Sequence, residues 1–280
     1  MKTTISDHTR AAKELRATFL ARHEESIARV IASHPKGSQL AKAGKMTHLD
    51  AKVTVARETG ALNWQSLEAQ ILDRDFAIAI EHLDLRMVKS CLKKDPTLMK
   101  REIPSVDGSF ATPPLSYVAN VSLSLEHNGP TAKVASAMLD TGLVDEERLG
   151  YAMDQACSLG AEDVALILIE AGADVSQSTI FDATALHWAV TNGMPKVVEA
   201  LVRGGANLEH RCTNWGGTPL WWGVRPVSTG PFRDLGDPVA AIRKIIELGA
   251  DIHAKSNDGR SVHDMSRRHA DMSDLMDEYF

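Results

Sequence analysis

The sequence has little cysteine and no long apolar segment. Its three cysteines, Cys91, Cys157 and Cys212, are widely spaced and odd in number. That pattern argues against a disulfide framework and predicts a reducing, cytoplasmic location. The longest apolar run, residues 164–169, is far too short to cross a bilayer. The first residues lack an apolar stretch, so no secretory signal is visible, and we expect no membrane association.

Motifs for familiar chemistry are also missing. The sequence contains no G-x-G-x-x-G, no G-x-x-x-x-G-K-[ST], no H-E-x-x-H and no G-x-S-x-G. His210 and Cys212 lie two residues apart, but no second pair follows at zinc spacing. His253, His263 and His269 lie in different segments near the end of the chain. We therefore expect no catalytic residue, no cofactor and no metal, and an enzyme is the least favoured class.

Charge is distributed unevenly along the chain. Residues 1–74 carry 12 Lys/Arg and 8 Asp/Glu, a net charge of +4, whereas the remainder carries 19 and 29, a net charge of −10. The change of sign supports a domain boundary near residue 72. Binding to a phosphate backbone requires clustered cations, so the acidic part disfavours nucleic acid as a partner.

The second part of the chain repeats itself every 33 to 34 residues. The segment Thr184–Ala189 recurs 34 residues later as Thr218–Gly223. The Gly-Ala pair at 172–173 recurs at 205–206 and again at 249–250. A fixed period of this size is typical of a solenoid, in which each unit buries its apolar face against its neighbours. Stacked units form an extended concave surface, which favours a binding protein.

These repeats resemble the ankyrin repeat, whose consensus includes G-x-T-P-L-H-x-A-A-x-x-G-H and a later L-L-x-x-G-A-D. The best match is Thr-Ala-Leu-His-Trp-Ala-Val-Thr-Asn-Gly at 184–193, followed by Gly-Ala-Asn at 205–207. The unit that starts at Tyr151 keeps the spacing but has Asp154 in the histidine position. The resemblance implies an all-α solenoid of about six helix-pair units with β-hairpin-like connections.

The predicted repeat domain covers residues 73–280. Its units are expected near 75–107, 108–146, 147–180, 181–213, 214–257 and 258–280. Helix pairs are expected near 76–93, 115–140, 148–170, 184–203, 219–247 and 261–279. Extra residues around 127–130 and 225–238 contain proline and glycine, which predicts loops between the two helices of their units.

Residues 1–72 do not repeat and predict a small helical bundle. Asp7 can cap a first helix, and His34-Pro35 should stop a second. Residues 36–46 form a polar linker in this interpretation. Thr47 and Asp50 form a capping box for a third helix, and Asn63 can cap a short fourth helix over 64–72.

The end of this segment is similar to a module found ahead of ankyrin repeats in bacterial proteins, with the pattern D-A-Q-x-x-x-A-R-E-x-G-F-x-S-W-x-x-L. The matching residues are Asp50, Ala51, Ala56, Arg57, Glu58, Gly60, Trp64 and Leu67, whereas Lys52 and Ala61 depart from the pattern. The resemblance implies a bacterial origin, a core position for Trp64, and no catalytic residue.

Four of the five tryptophans lie between residues 188 and 222. Trp188 and Trp222 hold the same place in consecutive units, on the helix that faces the concave side in the ankyrin arrangement. They either form a solvent-facing surface with Trp215, at a separation of about 10 Å, or pack on each other between units. Trp221 and His187 occupy the histidine position of the motif, and we expect structural roles for both.

The favoured function is a non-catalytic protein-interaction module that binds a protein partner on the concave face and hairpins of the repeats. The candidate partner-binding residues are Phe181, Trp188, Asn192, Trp215, Trp222 and Arg225. The alternative is a regulatory or sensory protein whose basic N-terminal module contacts nucleic acid or an acidic partner. The sequence specifies neither the partner nor the oligomeric state.

Overall fold

The computed structural model describes residues 4–122, 130–225, 236–268 and 270–280. The chain divides into two compact units, residues 1–76 and residues 77–280. The predicted loop around residue 127, most of the predicted 225–238 loop and His269 lie outside the described residues. No helix in the described parts of the chain combines the length and apolar character needed to cross a membrane.

The first unit is a bundle of short helices around one core. Its helices are α1 (Ile5–Leu20), α2 (Glu24–Ser33), α3 (Gly37–Ala43), α4 (His48–Glu58) and the first part of α5 (Trp64–Glu81). The core residues are Ala12, Leu15, Phe19, Val30, Met46, Ala51, Val55, Ala56, Ala61, Trp64, Leu67 and Ile71. The predicted core position of Trp64 is confirmed, and its indole N–H donates to Glu68.

Local capping decides where these helices start. The predicted box of Thr47 and Asp50 opens α4, with the threonine oxygen accepting from the Asp50 N–H and the carboxylate accepting from the Thr47 N–H. The same arrangement opens α1, where Thr4 is the N-cap and Asp7 lies three residues inside the helix. The prediction that Asp7 is itself the cap was therefore wrong, because its carboxylate serves the box from the third position.

Two segments of the first unit differ from the sequence-based prediction. The expected linker at 36–46 contains α3, because Gly37 has no Cβ and its backbone can lie directly against Val30 and Ile31. The helix expected to end at residue 72 continues to Glu81. Residues 73–76 include no proline or glycine to stop it, so α5 supplies the first helix of the repeats as well.

Helix pairs make up the second unit, as predicted from the repeat period. After α5 these helices are α6 (Leu85–Lys94), α7 (Pro114–Ser122), α8 (Thr131–Leu139), α9 (Glu146–Ser158), α10 (Glu162–Glu170), α11 (Ala185–Thr191), α12 (Pro195–Arg203), α13 (Pro219–Gly223), α14 (Pro238–Glu247), α15 (Val262–Ser266) and α16 (Ala270–Asp277). The first helices of consecutive pairs, α7, α9, α11 and α13, contact each other in that order, and so do the second helices α8, α10, α12 and α14. Each pair thus buries its apolar face against its neighbours.

Short extended segments connect the pairs. Strands β1 (Ile103–Pro104) and β2 (Ala111–Thr112) form an antiparallel hairpin before α7. Single antiparallel bridges join Ser178 to Thr184 before α11 and Lys255 to Ser261 before α15. Short 3-10 turns occupy Pro96–Lys100 and Ile180–Asp182. The connections therefore have the hairpin-like character that was expected of them.

The packing of α3 gives a direct test of the first unit. A Cβ added to Gly37 would lie 2.2 Å from the carbonyl oxygen of Val30 and 2.6 Å from the Cα of Ile31. Because backbone atoms cannot rotate away, we expect Gly37→Ala to destabilise the protein by about 1–3 kcal/mol. Urea unfolding followed by circular dichroism measures this, with the exposed neighbour variant Ser38→Ala as the control. Equal stability of the two variants would contradict the close packing of α3 on α2.

Candidate functional site

A buried polar side chain at the same place in three consecutive repeats bonds each repeat to the hairpin that follows. His187 Nε2 lies 3.3 Å from the Gly217 carbonyl oxygen. Trp221 Nε1 donates to the Arg260 carbonyl oxygen at 3.0 Å. At the equivalent Asp154, the carboxylate accepts from the Thr179 hydroxyl at 2.9 Å. The same position of the repeat therefore sets the register between neighbouring repeats, with an imidazole, an indole or a carboxylate as the bonding group.

His187 has the structural role predicted from the motif. Its Nδ1 accepts from the Thr184 N–H at 3.1 Å, so Nε2 carries the proton that is donated to Gly217. Burial lowers the pKa of His187 to about 4, and the ring is therefore neutral at physiological pH. Asn192 is also structural, since its amide nitrogen donates to the carbonyl oxygens of Cys157 and Ser158 at the end of α9.

Asp154 is a buried carboxyl group that uses only one of its oxygens. Its Oδ1 is buried and has no hydrogen-bond partner among the described residues. Burial raises its pKa to about 6, against a smaller opposing effect of the bond from Thr179. Burial also raises the pKa of the neighbouring Cys157 thiol. Because Asp154 is only 2% exposed, it is not accessible to a substrate.

Three tryptophans from consecutive repeats form an aromatic cluster with Trp222 at its centre. The Trp188 ring on α11 lies 5.1 Å from the Trp222 ring on α13, edge to face. Trp215, in the connection before α13, contacts Trp222 from another side at 5.4 Å. The imidazole of His187 is a further edge-to-face neighbour of Trp222, at 5.1 Å. Each edge-to-face pair of this kind contributes about 0.5–1.5 kcal/mol beyond area burial.

Trp222 does not lie at a solvent-facing surface as predicted, because these neighbours cover it. It is 2% exposed, and its indole N–H donates to the Cys212 sulfur at 3.2 Å. The rings of Trp188 and Trp222 are also closer than the predicted separation of about 10 Å, which is a helix-axis distance. The large side chains extend toward each other, so packing between units accounts for Trp222.

Arg225 lies over the rings of this cluster. Its guanidinium carbon is 4.0 Å from the Trp215 ring centre and 5.3 Å from that of Trp222. Cation–π contacts of this kind hold the planar group in one orientation. Burial lowers the pKa of Arg225, but an arginine stays charged in proteins. Its Nε and the Nε1 of Trp188 are buried without a hydrogen-bond partner among the described residues.

The exposed part of the cluster is a hairpin tip formed by Ile180 and Phe181. Phe181 is 51% exposed and Ile180 is 66% exposed, and the Phe181 ring lies 6.5 Å from that of Trp215. Phe181 and Asp182 both have positive φ, 63° and 57°, a conformation that side chains with a Cβ seldom adopt. Ile180 was not among the partner-binding residues predicted from the sequence, although an apolar pair at a turn could have indicated it.

Neighbouring segments hold this tip in its strained conformation. The Thr213 N–H donates to the Phe181 carbonyl oxygen at 2.7 Å. The His210 imidazole bonds to the Asp182 carbonyl oxygen at 3.0 Å. His210 and Cys212, weighed as a metal pair in the sequence, thus contact the tip and Trp222 respectively. No group of three His, Cys, Asp or Glu side chains within the described ranges is placed to hold a metal ion.

The arginines of the first unit are engaged within that unit. Arg10, Arg16, Arg22, Arg29 and Arg57 each donate to a carboxylate or a backbone carbonyl there. The strongest geometry is the pairing of Arg29 with both oxygens of Glu58, at 2.9 and 2.8 Å. These internal contacts compete with phosphate contacts, so they do not favour the nucleic-acid alternative.

Because Trp222 is buried, its replacement should lower the stability of the protein, whereas replacement of a surface residue would leave stability nearly unchanged. We expect Trp222→Ala to destabilise the protein by about 3–5 kcal/mol, because it empties the centre of the cluster. Thermal and urea unfolding measure the loss. The control is Tyr151→Ala, which removes an aromatic side chain that is partly exposed. A melting temperature for Trp222→Ala within a few degrees of wild type would contradict the central role of this ring.

Asp154 predicts an unusual pH dependence of stability. The folded-state pKa of Asp154, about 6, lies above the ordinary value of 3.8. Its contribution to the free energy of unfolding is therefore present at low pH and is lost as pH rises through about 6. Between about pH 4 and pH 7, Asp154→Asn should gain up to about 3 kcal/mol relative to wild type, at 1.36 kcal/mol per pKa unit. Urea unfolding at several pH values tests this, with the exposed Asp140→Asn as control. A constant difference across the range would exclude the raised pKa.

Comparisons with known proteins place repeats over this region. A family model described as ankyrin repeats, in three copies, matches residues 153–256. The chain is 29% identical over 118 residues to Ankyrin repeat and SOCS box protein 6 of Mus musculus. The aligned segment covers 42% of this chain and 26% of that protein. It is 31% identical over 80 residues to Putative palmitoyltransferase ZDHHC13 of Danio rerio, covering 29% of this chain and 12% of that protein.

The chain therefore spans about a quarter or less of the length of these relatives. The family match coincides with the stacked helix pairs α9 to α14 and their hairpins. Ankyrin repeats are present in this chain, its fold is an all-α ankyrin solenoid, and such repeats indicate a protein–protein interaction module.

Proposed function

We propose that this protein is a non-catalytic interaction module that holds a protein partner at the hairpin tip of Ile180 and Phe181 and the adjoining concave face. The observation that carries the proposal is the strained, exposed tip above an ordered aromatic cluster. Backbone strain of about 1–3 kcal/mol per residue persists where the surroundings impose it, and such residues concentrate at functional positions.

The tip has the properties of a binding anchor. Phe181 and Ile180 offer apolar surface that water covers in the free protein, and burial of that surface favours association. Aromatic side chains that fill a partner's pocket contribute about 2 kcal/mol or more each. The tip is fixed by the bonds to Thr213 and His210, so binding loses little conformational entropy there.

The rest of the cluster supports this anchor. Trp215 lies against Phe181 and is itself only half-buried, so it extends the apolar surface. Trp222 holds Trp188 and Trp215 in place from beneath. Arg225 keeps a fixed guanidinium beside them, which can donate to backbone carbonyl groups of a partner. Asn192 supports the spacing of the repeats through its bonds to the carbonyl oxygens of Cys157 and Ser158.

The other functional hypotheses have weaker support. A regulatory protein whose basic N-terminal unit contacts nucleic acid would use the cations of that unit, and three of its arginines, Arg16, Arg22 and Arg29, bond within the unit instead. An enzyme would need an accessible acid–base group, and the strongly shifted carboxyl of Asp154 is buried. The three cysteines are buried free thiols, which is consistent with a reducing, cytoplasmic location. The bacterial origin rests on the motif of the N-terminal module alone.

Replacing the tip tests the proposal. We expect Phe181→Ala to weaken capture of the partner by at least about tenfold, since an anchor is lost. The melting temperature should stay within a few degrees, because the side chain is exposed. Tagged wild-type and variant chains are used to purify interacting proteins from the native host, and each retained protein is quantified by mass spectrometry.

The matched control is Leu62→Ser, which removes an exposed apolar side chain of the first unit. A specific partner is one that wild type and Leu62→Ser retain and Phe181→Ala loses. If Phe181→Ala retains every protein that wild type retains, the hairpin tip is not the binding surface and the proposal fails.

A further inference from the structure

An open cavity of about 430 Å³ lies in the second unit and shares no lining residue with the aromatic cluster. The end of α5 supplies Glu81, the next residue is His82, and the hairpin before α7 supplies Phe110. Among the described residues, the other lining residues are Tyr117, Asn120 and Val121 of α7. The cavity therefore combines a carboxylate, an imidazole, a carboxamide and two aromatic rings in one recess.

Glu81 is fixed in this cavity through one oxygen and free at the other. The Tyr117 hydroxyl donates to Oε1 at 2.5 Å, and the Val106 N–H donates to the same oxygen at 3.1 Å. Oε2 has no hydrogen-bond or ion-pair partner among the described residues. Two donors on one oxygen hold the carboxylate plane, so the second oxygen is preorganised for a ligand.

Tyr117 adds no charge of its own to the cavity, so the anionic group there is the Glu81 carboxylate. Burial, together with the Glu81 carboxylate, raises the pKa of Tyr117, so the phenol keeps its proton and donates it to the glutamate. The Phe110 ring packs edge to face on Tyr117, at 5.4 Å and 72°, and is 44% exposed. An anionic oxygen beside an open aromatic ring is a favourable environment for a cation.

The net charge of the whole second unit also favours the approach of a cation. Residues 77–280 carry 19 Lys/Arg and 28 Asp/Glu, a net charge of −9. A net negative field attracts basic groups and increases their rate of encounter. In the described residues no cation lies within ion-pair distance of Glu81, so the repeats do not neutralise this carboxylate themselves.

We propose that this cavity binds a basic side chain, arginine or lysine, of the protein partner. The guanidinium or ammonium group bonds to Glu81 Oε2, and the Asn120 carboxamide oxygen is a second acceptor. The aliphatic stem lies against Phe110. This inference rests on the proposed function, because it adds a charge requirement for the partner, but it concerns a different set of residues.

A titration with small probes tests the cavity independently of any partner. The full chain is labelled with ¹⁵N and titrated with N-acetyl-argininamide and N-acetyl-lysinamide, while the Val106 backbone amide and the Asn120 side-chain amide are followed by NMR. We expect saturable shifts at these two groups in the millimolar range. N-acetyl-citrullinamide, which has the shape of the arginine probe without its charge, should produce no saturable shift.

Glu81→Gln is the diagnostic variant. The glutamine oxygen can still accept from Tyr117 and Val106, so the fold should be retained, which the melting temperature verifies. Loss of the carboxylate should weaken binding of the basic probes by about tenfold. The matched control is Glu147→Gln, an exposed glutamate of the same unit, which changes net charge equally and should bind as wild type does. Phe110→Ala should weaken binding to a smaller extent.

Three results would overturn the cavity proposal: no saturable shift with either basic probe, equal shifts with the citrulline probe, or unchanged affinity in Glu81→Gln. The response should persist in Phe181→Ala, since that residue is not in the cavity. Failure of partner capture to depend on Phe181 would overturn only the proposed function, whereas failure of the probe titration would overturn only this cavity.

Discussion

The interaction on which the central repeats depend is a hydrogen bond that joins each of the helices α9, α11 and α13 to the hairpin that follows it. It comes from His187, Trp221 and Asp154, side chains with different donors and acceptors at one position of the repeat. Apolar stacking alone would allow neighbouring units to slide, because dispersion contacts are weakly directional. A polar group that is buried must be paired, and this requirement selects one register.

The aromatic cluster follows from that register. The bond from His187 to Gly217 brings the connection before α13 against α11, and Trp222 then has Trp188, Trp215 and His187 around it. The cluster in turn supports Phe181 from below and holds Arg225 by its ring faces. The exposed tip is therefore attached to a rigid base, which is the arrangement that a binding anchor requires.

The second unit has two candidate contact regions with different chemistry. The tip at Ile180 and Phe181 is apolar and has a strained backbone that neighbouring segments hold in place, whereas the Glu81 cavity is anionic and its carboxylate is held by hydrogen bonds. A partner that uses both would present an apolar surface and a basic side chain. Because the two regions share no residue, substitution at one leaves the other intact and their contributions can be measured separately.

Much of the fold could be predicted from the sequence, because it depends on local or periodic signals. The 33–34-residue period indicated the helix pairs, the Thr47–Asp50 spacing indicated the start of α4, and the motif position of His187 indicated its structural role. Period, capping and motif position are properties of short segments, so they can be recognised without knowing what the segments contact.

Only the tertiary structure decided which side chains are exposed. Trp188 and Trp222 occupy equivalent positions, yet Trp222 is buried because His187 and Trp188 of the preceding repeat, together with Trp215, surround its ring. The helix at Gly37 forms because another helix offers it a close backbone surface, and Phe181 is exposed because Thr213 and His210 hold its turn in a left-handed conformation. The sequence by itself determined the repeating helical architecture. Contacts between distant residues determined the surface, because exposure depends on every neighbour and not on the segment alone.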